Sequence, residues 1–219
     1  MTGYMKADEL LILRNLPKVE RTALTARVES VLITGKGEPV LSLPNLRRYI
    51  QVFSDYNVEL QTNGKALIWD FAQKKTSQGG EELLEFLWYD GLNVLAISVD
   101  SVQDLQNPYM DPFLSHAMSL GIVIRLTVNV SDLLGADPET LIHYCKERQV
   151  SQLTFRKLTI PENPKHEGTV NWILEHAPEP LWDQFAQEIK RILQKRGRLL
   201  RTLNHGETVW EVDGTVSLS

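Results

Sequence analysis

The stretch Ser30-Val31-Leu32-Ile33-Thr34-Gly35-Lys36-Gly37-Glu38-Pro39 decides the fold. It reads as a short apolar strand running into a glycine-rich loop that ends on a carboxylate and a proline. The pattern returns four times. Val58-Glu59-Leu60-Gln61-Thr62 runs into Asn63-Gly64, and Val94 to Val99 ends at Asp100-Ser101. Ile122 to Val128 ends at Asn129, and Gln152 to Phe155 ends at Arg156-Lys157. The strand starts lie roughly 30 residues apart, the length of one β-α unit. Ligands of parallel α/β proteins collect at the carboxyl ends of strands, so these five ends are the candidate site.

Between the strands lie helical patterns. Leu10, Leu11 and Leu13 mark a first helix over 5–14 that Pro17 interrupts, with a weaker helical stretch over 19–29. Leu46, Tyr49, Ile50 and Phe53 recur at helical spacing after Pro44. Residues 65–79 are ambiguous, 81–89 read as a helix, and Asp111-Pro112 and Asp137-Pro138 start two more, each an N-cap followed by a first-turn proline. Residues 158–168 read as a loop, and Trp182, Phe185, Ile189 and Ile192 set a helix over about 180–195. The tail, 198–219, reads as two or three short strands turning at Asn204-His205-Gly206 and Asp213-Gly214.

The strand faces differ in chemistry. One parity carries Leu60, Leu95, Ile97, Val99, Ile124, Leu126, Val128, Leu153 and Phe155. The other carries Glu59, Gln61 and Asn63, then Ser98 and Asp100, then Arg125, Thr127 and Asn129, then Thr154 and Arg156. Successive side chains of a strand point to opposite faces, so helices cover one face and the other is polar. Parallel strands covered on both sides would be apolar throughout. The expected fold class is therefore α/β: an open, partial barrel of about five parallel strands whose concave side takes a polar ligand, followed by a short C-terminal β extension. A flat sheet with one solvated side is the alternative.

Composition bounds the rest. The chain has 219 residues, 42% of them hydrophobic, enough for one sizeable core. A net charge of −5 gives no global basic field for nucleic acid. The local basic run Lys190, Arg191, Lys195, Arg196, Arg198 and Arg201 follows a helix to its end, where cations suit the dipole. No apolar stretch reaches the ~20 residues of a membrane span, and no signal peptide is legible, so the expectation is a cytoplasmic protein without a membrane partner. The one cysteine, Cys145, excludes disulfides within the chain and reads as a core thiol. His116, His143, His166, His176 and His205 show no metal-ligand spacing, so no metal residues are assigned. Trp69, Trp88, Trp172, Trp182 and Trp210 read as helix-packing residues.

Thr34-Gly35-Lys36-Gly37-Glu38-Pro39 followed by Thr62-Asn63-Gly64 resembles the radical S-adenosylmethionine (radical SAM) superfamily. That family commonly carries Gly-Gly-Glu-Pro after its second strand and Thr-Asn-Gly after its third. The resemblance covers roughly 5–160 and implies a partial (β/α)6 barrel over 1–160, with helices and the β extension of 161–219 packed on it. It implies S-adenosylmethionine as the small-molecule ligand. Gly35, Lys36, Gly37 and Glu38 would meet its amino group, Asn63 would belong to the same site, and Ser98 and Asp100 would lie near the ribose or methionine part. Arg125 and Asn129 would meet the carboxylate or ribose, and the fifth strand end with Arg156 would flank the adenine. Lys36 replaces the first glycine of the family motif.

The family's CxxxCxxC motif and first strand are absent from the sequence. A [4Fe-4S] cluster needs thiolates, so the chain is inactive in radical chemistry as written. The resemblance then implies three alternatives: a truncated enzyme whose cysteines lie upstream of Met1, a split enzyme whose partner brings them, or a cluster-less relative that binds a ligand or another protein. The first is preferred. Catalytic residues stay unknown. A TIM-barrel-like lyase using Lys157 as a Schiff-base lysine is a further alternative. The missing first strand also predicts an exposed sheet edge at 30–34.

Overall fold

The structure is a computed structural model that describes residues 9–35, 37–76, 82–162, 166–203, 206–214 and 216–218. Lys36, one of the expected site residues, lies outside the described residues. The described chain forms two compact units, 1–96 with 120–122, and 97–119 with 123–219. The boundary expected at 160 falls inside the second unit.

The first unit opens with helix α1 (Glu9–Ala26) and strand β1 (Ser30–Ile33). α1 runs through Pro17 instead of stopping there. The proline removes one helical hydrogen bond, but Leu16 beside it is buried, and packing outweighs the local penalty. A 3-10 turn (Pro39–Ser42) and α2 (Leu43–Val52) follow, then β2 (Asn57–Thr62), α3 (Lys65–Thr76) and α4 (Leu83–Tyr89). β3 (Leu92–Val99) begins in this unit and ends in the other. β1 and β2 are parallel, with Ser30 opposite Asn57 and Ile33 opposite Leu60. The unit's core is Leu46, Ile50, Leu60, Leu67, Phe71, Leu84 and Leu87. Burying each such side chain contributes about 1.5–3 kcal/mol.

Among the described residues β1 pairs with β2 alone and ends the strand order, so the edge expected at 30–34 is present. Leu32 is 49% exposed there, and Leu16 and Val19 of α1 line a groove of about 410 Å³ beside it.

The second unit holds the end of β3, then α5 (Val102–Leu105), α6 (Met110–Ser119) and β4 (Val123–Val130). A 3-10 turn (Asp132–Leu134), α7 (Pro138–Glu147) and β5 (Gln152–Lys157) come next. α8 (Glu167–His176), α9 (Glu179–Arg196), β6 (Gly197–Thr202), β7 (Thr208–Val212) and β8 (Val216–Leu218) complete it. Its strand order is β3-β4-β5-β8-β7-β6. β8 pairs parallel with β5, and β6 and β7 add antiparallel, so the tail extends the sheet. Asp137 caps α7 as expected, accepting from Thr140 N–H at 2.7 Å. Asp111 instead sits inside the first turn of α6 and binds Arg148.

The fold class is α/β, with parallel strands β1 to β5 alternating with helices in the open-barrel manner and a short antiparallel extension. The expected difference between strand faces holds. In β4, Ile124, Leu126, Val128 and Val130 are buried, whereas Arg125 and Asn129 are half-buried. Thr127 is the exception and is buried. The loop expected over 158–168 gives way at its last two residues to α8, and the tryptophans expected to pack helices are half-buried or exposed, with Trp69 66% exposed.

Candidate functional site

In the first unit the two motif loops are joined by one carboxylate. Glu38 is the N-cap of the 3-10 turn at Pro39, and its Oε1 accepts from Val40 N–H at 3.2 Å. The same oxygen accepts the Thr62 hydroxyl at 2.6 Å, and Oε2 accepts Asn63 N–H at 2.9 Å. A carboxylate has about four lone-pair positions, and three are engaged here. Thr62 also accepts Gly64 N–H at 3.0 Å, and Asn63 Oδ1 accepts Lys65 N–H at 3.0 Å. Gly64 has φ +72, the left-handed conformation that ends the strand sharply.

Glu38 therefore ties the loop after β1 to the carboxyl end of β2. Thr62, which the sequence reading quoted but did not assign, is the hub of this tie. It is 4% exposed, and its hydroxyl both donates and accepts. Its position before Asn-Gly is the signal that could have found it. Asn63 serves its own turn, as Asn in such turns does. At Gly35 an added Cβ would meet only ordinary contacts with the Gly37 backbone, 3.9 Å at the nearest, so nothing steric reserves that position for glycine.

In the second unit a separate polar group forms at the strand ends. Asn129 Nδ2 donates to Asp100 Oδ1 at 2.7 Å, linking the end of β4 to the residue after β3. Asn129 stands opposite Arg156 in the β4–β5 register. Asp104 fixes the Asp100-Ser101 backbone, accepting both N–H groups at 3.1 Å. Ser98, one turn of the pleat before Asp100, is half-buried.

Arg125 is placed differently from the expectation. It is the third residue of β4, four residues before Asn129, and its Nε donates to Gln152 Oε1 at 2.8 Å. At roughly 3.3 Å per residue, it stands about 13 Å along the strand from Asn129, away from the carboxyl end. Lys157 is ion-paired with Glu179, which is not the desolvated amine a Schiff-base lysine needs.

The donor set does not fit an iron–sulfur cluster. Cys145 is the sole cysteine, and it is buried on α7, where burial pushes its thiol up to about 12. Among the described residues no group of three or more His, Cys, Asp or Glu is placed to hold a metal ion. Likewise, no described helix is long and apolar enough to cross a membrane.

Comparison with solved structures places this geometry. Streptococcus suis SuiB superposes with a TM-score of 0.53 over 93% of this chain, at 12% identity. SuiB bound to S-adenosylmethionine gives 0.58 over 99% of the chain, at 11% identity. The chain shares its fold with SuiB. The chain spans less than half of SuiB, 42% and 44% of its length in the two structures. Likeness to the radical S-adenosylmethionine methyltransferase TsrM of Kitasatospora setae, at a TM-score of 0.41 over 66% of this chain and 30% of TsrM, with 11% identity, stays below the level of a shared fold. No family model and no curated protein matches the sequence.

Proposed function

We propose that this chain is the S-adenosylmethionine-binding part of a radical SAM-type enzyme, and that the cluster thiolates come from outside these 219 residues. The observation that carries the reading is the Glu38–Thr62–Asn63 tie. It joins the two motifs of the sequence resemblance at adjacent strand ends, on a fold shared with a protein crystallised with S-adenosylmethionine. An ammonium only donates, so the remaining acceptor capacity of Glu38 and the loop carbonyls suits it. The Asp100–Asn129 pair offers an acceptor and a donor, which suits ribose hydroxyls. No radical step is assigned to residues of this chain, because its donor set does not hold the cluster.

Calorimetric titration with S-adenosylmethionine tests the reading. Binding is expected, and Glu38→Gln weakens it, because an amide nitrogen would face an N–H or hydroxyl donor now served by carboxylate. A chain that folds and takes up no S-adenosylmethionine overturns the reading. It would favour a protein-interaction module built on the same fold.

A further inference from the structure

We propose that β6 is a docking edge, and that an acidic, extended polypeptide segment adds to the sheet there as a further strand. This goes beyond S-adenosylmethionine binding and does not rest on it.

β6 ends the strand order and, among the described residues, pairs with β7 alone. Its outer side therefore carries strand N–H and C=O groups with no strand against them. All of 198–202 is exposed, and Leu199 and Leu200 are 49% and 48% exposed. Arg198 stands opposite Glu211 and Leu199 opposite Trp210, so the guanidinium and the leucine lie on opposite faces. Leu200 is the extra residue where the register shifts between Leu199 and Arg201. Arg201, opposite Val209, returns to the face of Arg198, because Val209 and Glu211 share one face of β7.

The charge at this edge is opposite to that of the chain. Residues 190–201 hold six Lys and Arg and no Asp or Glu, in a chain of net charge −5. The helix dipole accounts for Lys195 and Arg196 in the last turn of α9. Its effect fades within that turn, so it does not account for Lys190 and Arg191 in the turn before, or for Arg198 and Arg201 beyond the helix. Arg196 pairs with Glu139 and Asp213, and Arg198 with Glu211. Lys190, Arg191, Lys195 and Arg201 are exposed and have no ion pair among the described residues. The end of α9 lies against the start of β6, where a Cβ on Gly197 would stand 2.7 Å from the Leu193 carbonyl oxygen. The cations of the helix end and of the strand therefore belong to one basic region.

These features select the occupant. An open row of strand amides is matched by another strand, which a nucleic acid does not supply. The unpaired cations match acidic side chains. A second copy does not fit, since antiparallel pairing about the centre of β6 would set Arg198 opposite Arg201, and like charges directly opposite destabilise a strand pair. Leu199 and Leu200 offer apolar contact, so the fitting segment alternates acidic and apolar residues.

Fluorescence anisotropy of the full chain with a labelled short peptide alternating glutamate and valine tests this. Saturable binding is expected, weakening as salt rises. The peptide with glutamine for glutamate should bind about tenfold more weakly, the sum of several exposed ion pairs. Arg201→Glu should weaken the original peptide about three- to fivefold, since one exposed attraction becomes a repulsion. Arg201 has no ion pair to lose among the described residues, so the urea midpoint of this variant serves as folding control and should not move. A peptide with a fully N-methylated backbone keeps its charge and loses every ladder donor, and it should not bind measurably. Amide exchange over 198–202 should slow on binding while β4 is unchanged. No saturable binding, equal binding of the N-methylated peptide, or displacement by single-stranded DNA at lower concentration than by unlabelled peptide overturns the strand docking. None of these results involves S-adenosylmethionine, so the two readings fail separately.

Discussion

The Thr62 hydroxyl donates to Glu38 across 24 positions of sequence, at 2.6 Å, from a buried threonine to a half-buried carboxylate. Thr62→Val keeps the shape and removes both of its bonds, leaving Glu38 Oε1 without its hydroxyl donor and Gly64 N–H without an acceptor. Orphaning the buried Gly64 N–H costs about 1–3 kcal/mol, and the half-buried Glu38 oxygen less. The midpoint of urea unfolding should fall accordingly, and Thr62→Ser should restore most of it. An unchanged midpoint in Thr62→Val would mean that the tie contributes nothing to stability.

Asn129→Asp places a carboxylate against Asp100, where an amide now donates at 2.7 Å. Like charges at this distance repel, and the repulsion fades when either carboxyl is protonated. Under the proposed function, S-adenosylmethionine affinity in this variant should drop about tenfold at pH 8 and recover as pH falls toward 5. Calorimetry at the two pH values reads it. A loss that is the same at both pH values would point to shape instead of charge.

Asp90 is buried and takes Arg47 Nε at 2.5 Å, Arg47 Nη2 at 3.0 Å and Gln51 Nε2 at 2.7 Å. The Arg47 hydrogen bond holds its carboxyl below the usual carboxylate range against the opposing effect of burial. A carboxyl lowered in the folded state contributes stability that is present above its unfolded value and lost as pH falls through the folded one. The chain should therefore lose stability from about pH 4 downward, and Asp90→Asn should start less stable and show a shallower loss. Urea midpoints between pH 7 and pH 3 measure both. Parallel curves for the two proteins would remove Asp90 from the acid response.

Cys145 should resist iodoacetamide in the folded chain at pH 8, because the thiolate is the nucleophile and burial keeps the thiol protonated. Urea should expose it to full labelling. Rapid labelling of the native chain would contradict its burial on α7.

Much of the fold was legible because period-2 alternation in the strands is a local signal. Leu60, Leu126 and Leu153 point into cores, and Asn63, Asn129 and Arg156 stand at strand ends where the alternation put them. What escaped was set by contacts distant in sequence. Pro17 sits inside a helix because Leu16 is packed. The loop expected over 158–168 takes in the first two residues of α8 because Gly168 hides the start of a helix that buries nothing. Arg125 was expected beside Asn129 at one ligand, but it lies near the start of β4 and pairs with Gln152, a partner 27 positions away. The motif spelling singled out Glu38 and Asn63, which the structure joins by a hydrogen bond. The role of Thr62 needed the crossing of two loops that no local pattern encodes.

The most direct test of the central claim is the hydrogen-exchange footprint of S-adenosylmethionine on the full chain. The account predicts added protection at the loop after β1, at 62–64, and at 100–101, with α7 unchanged. Protection confined to other segments, or none at saturating ligand, would contradict it.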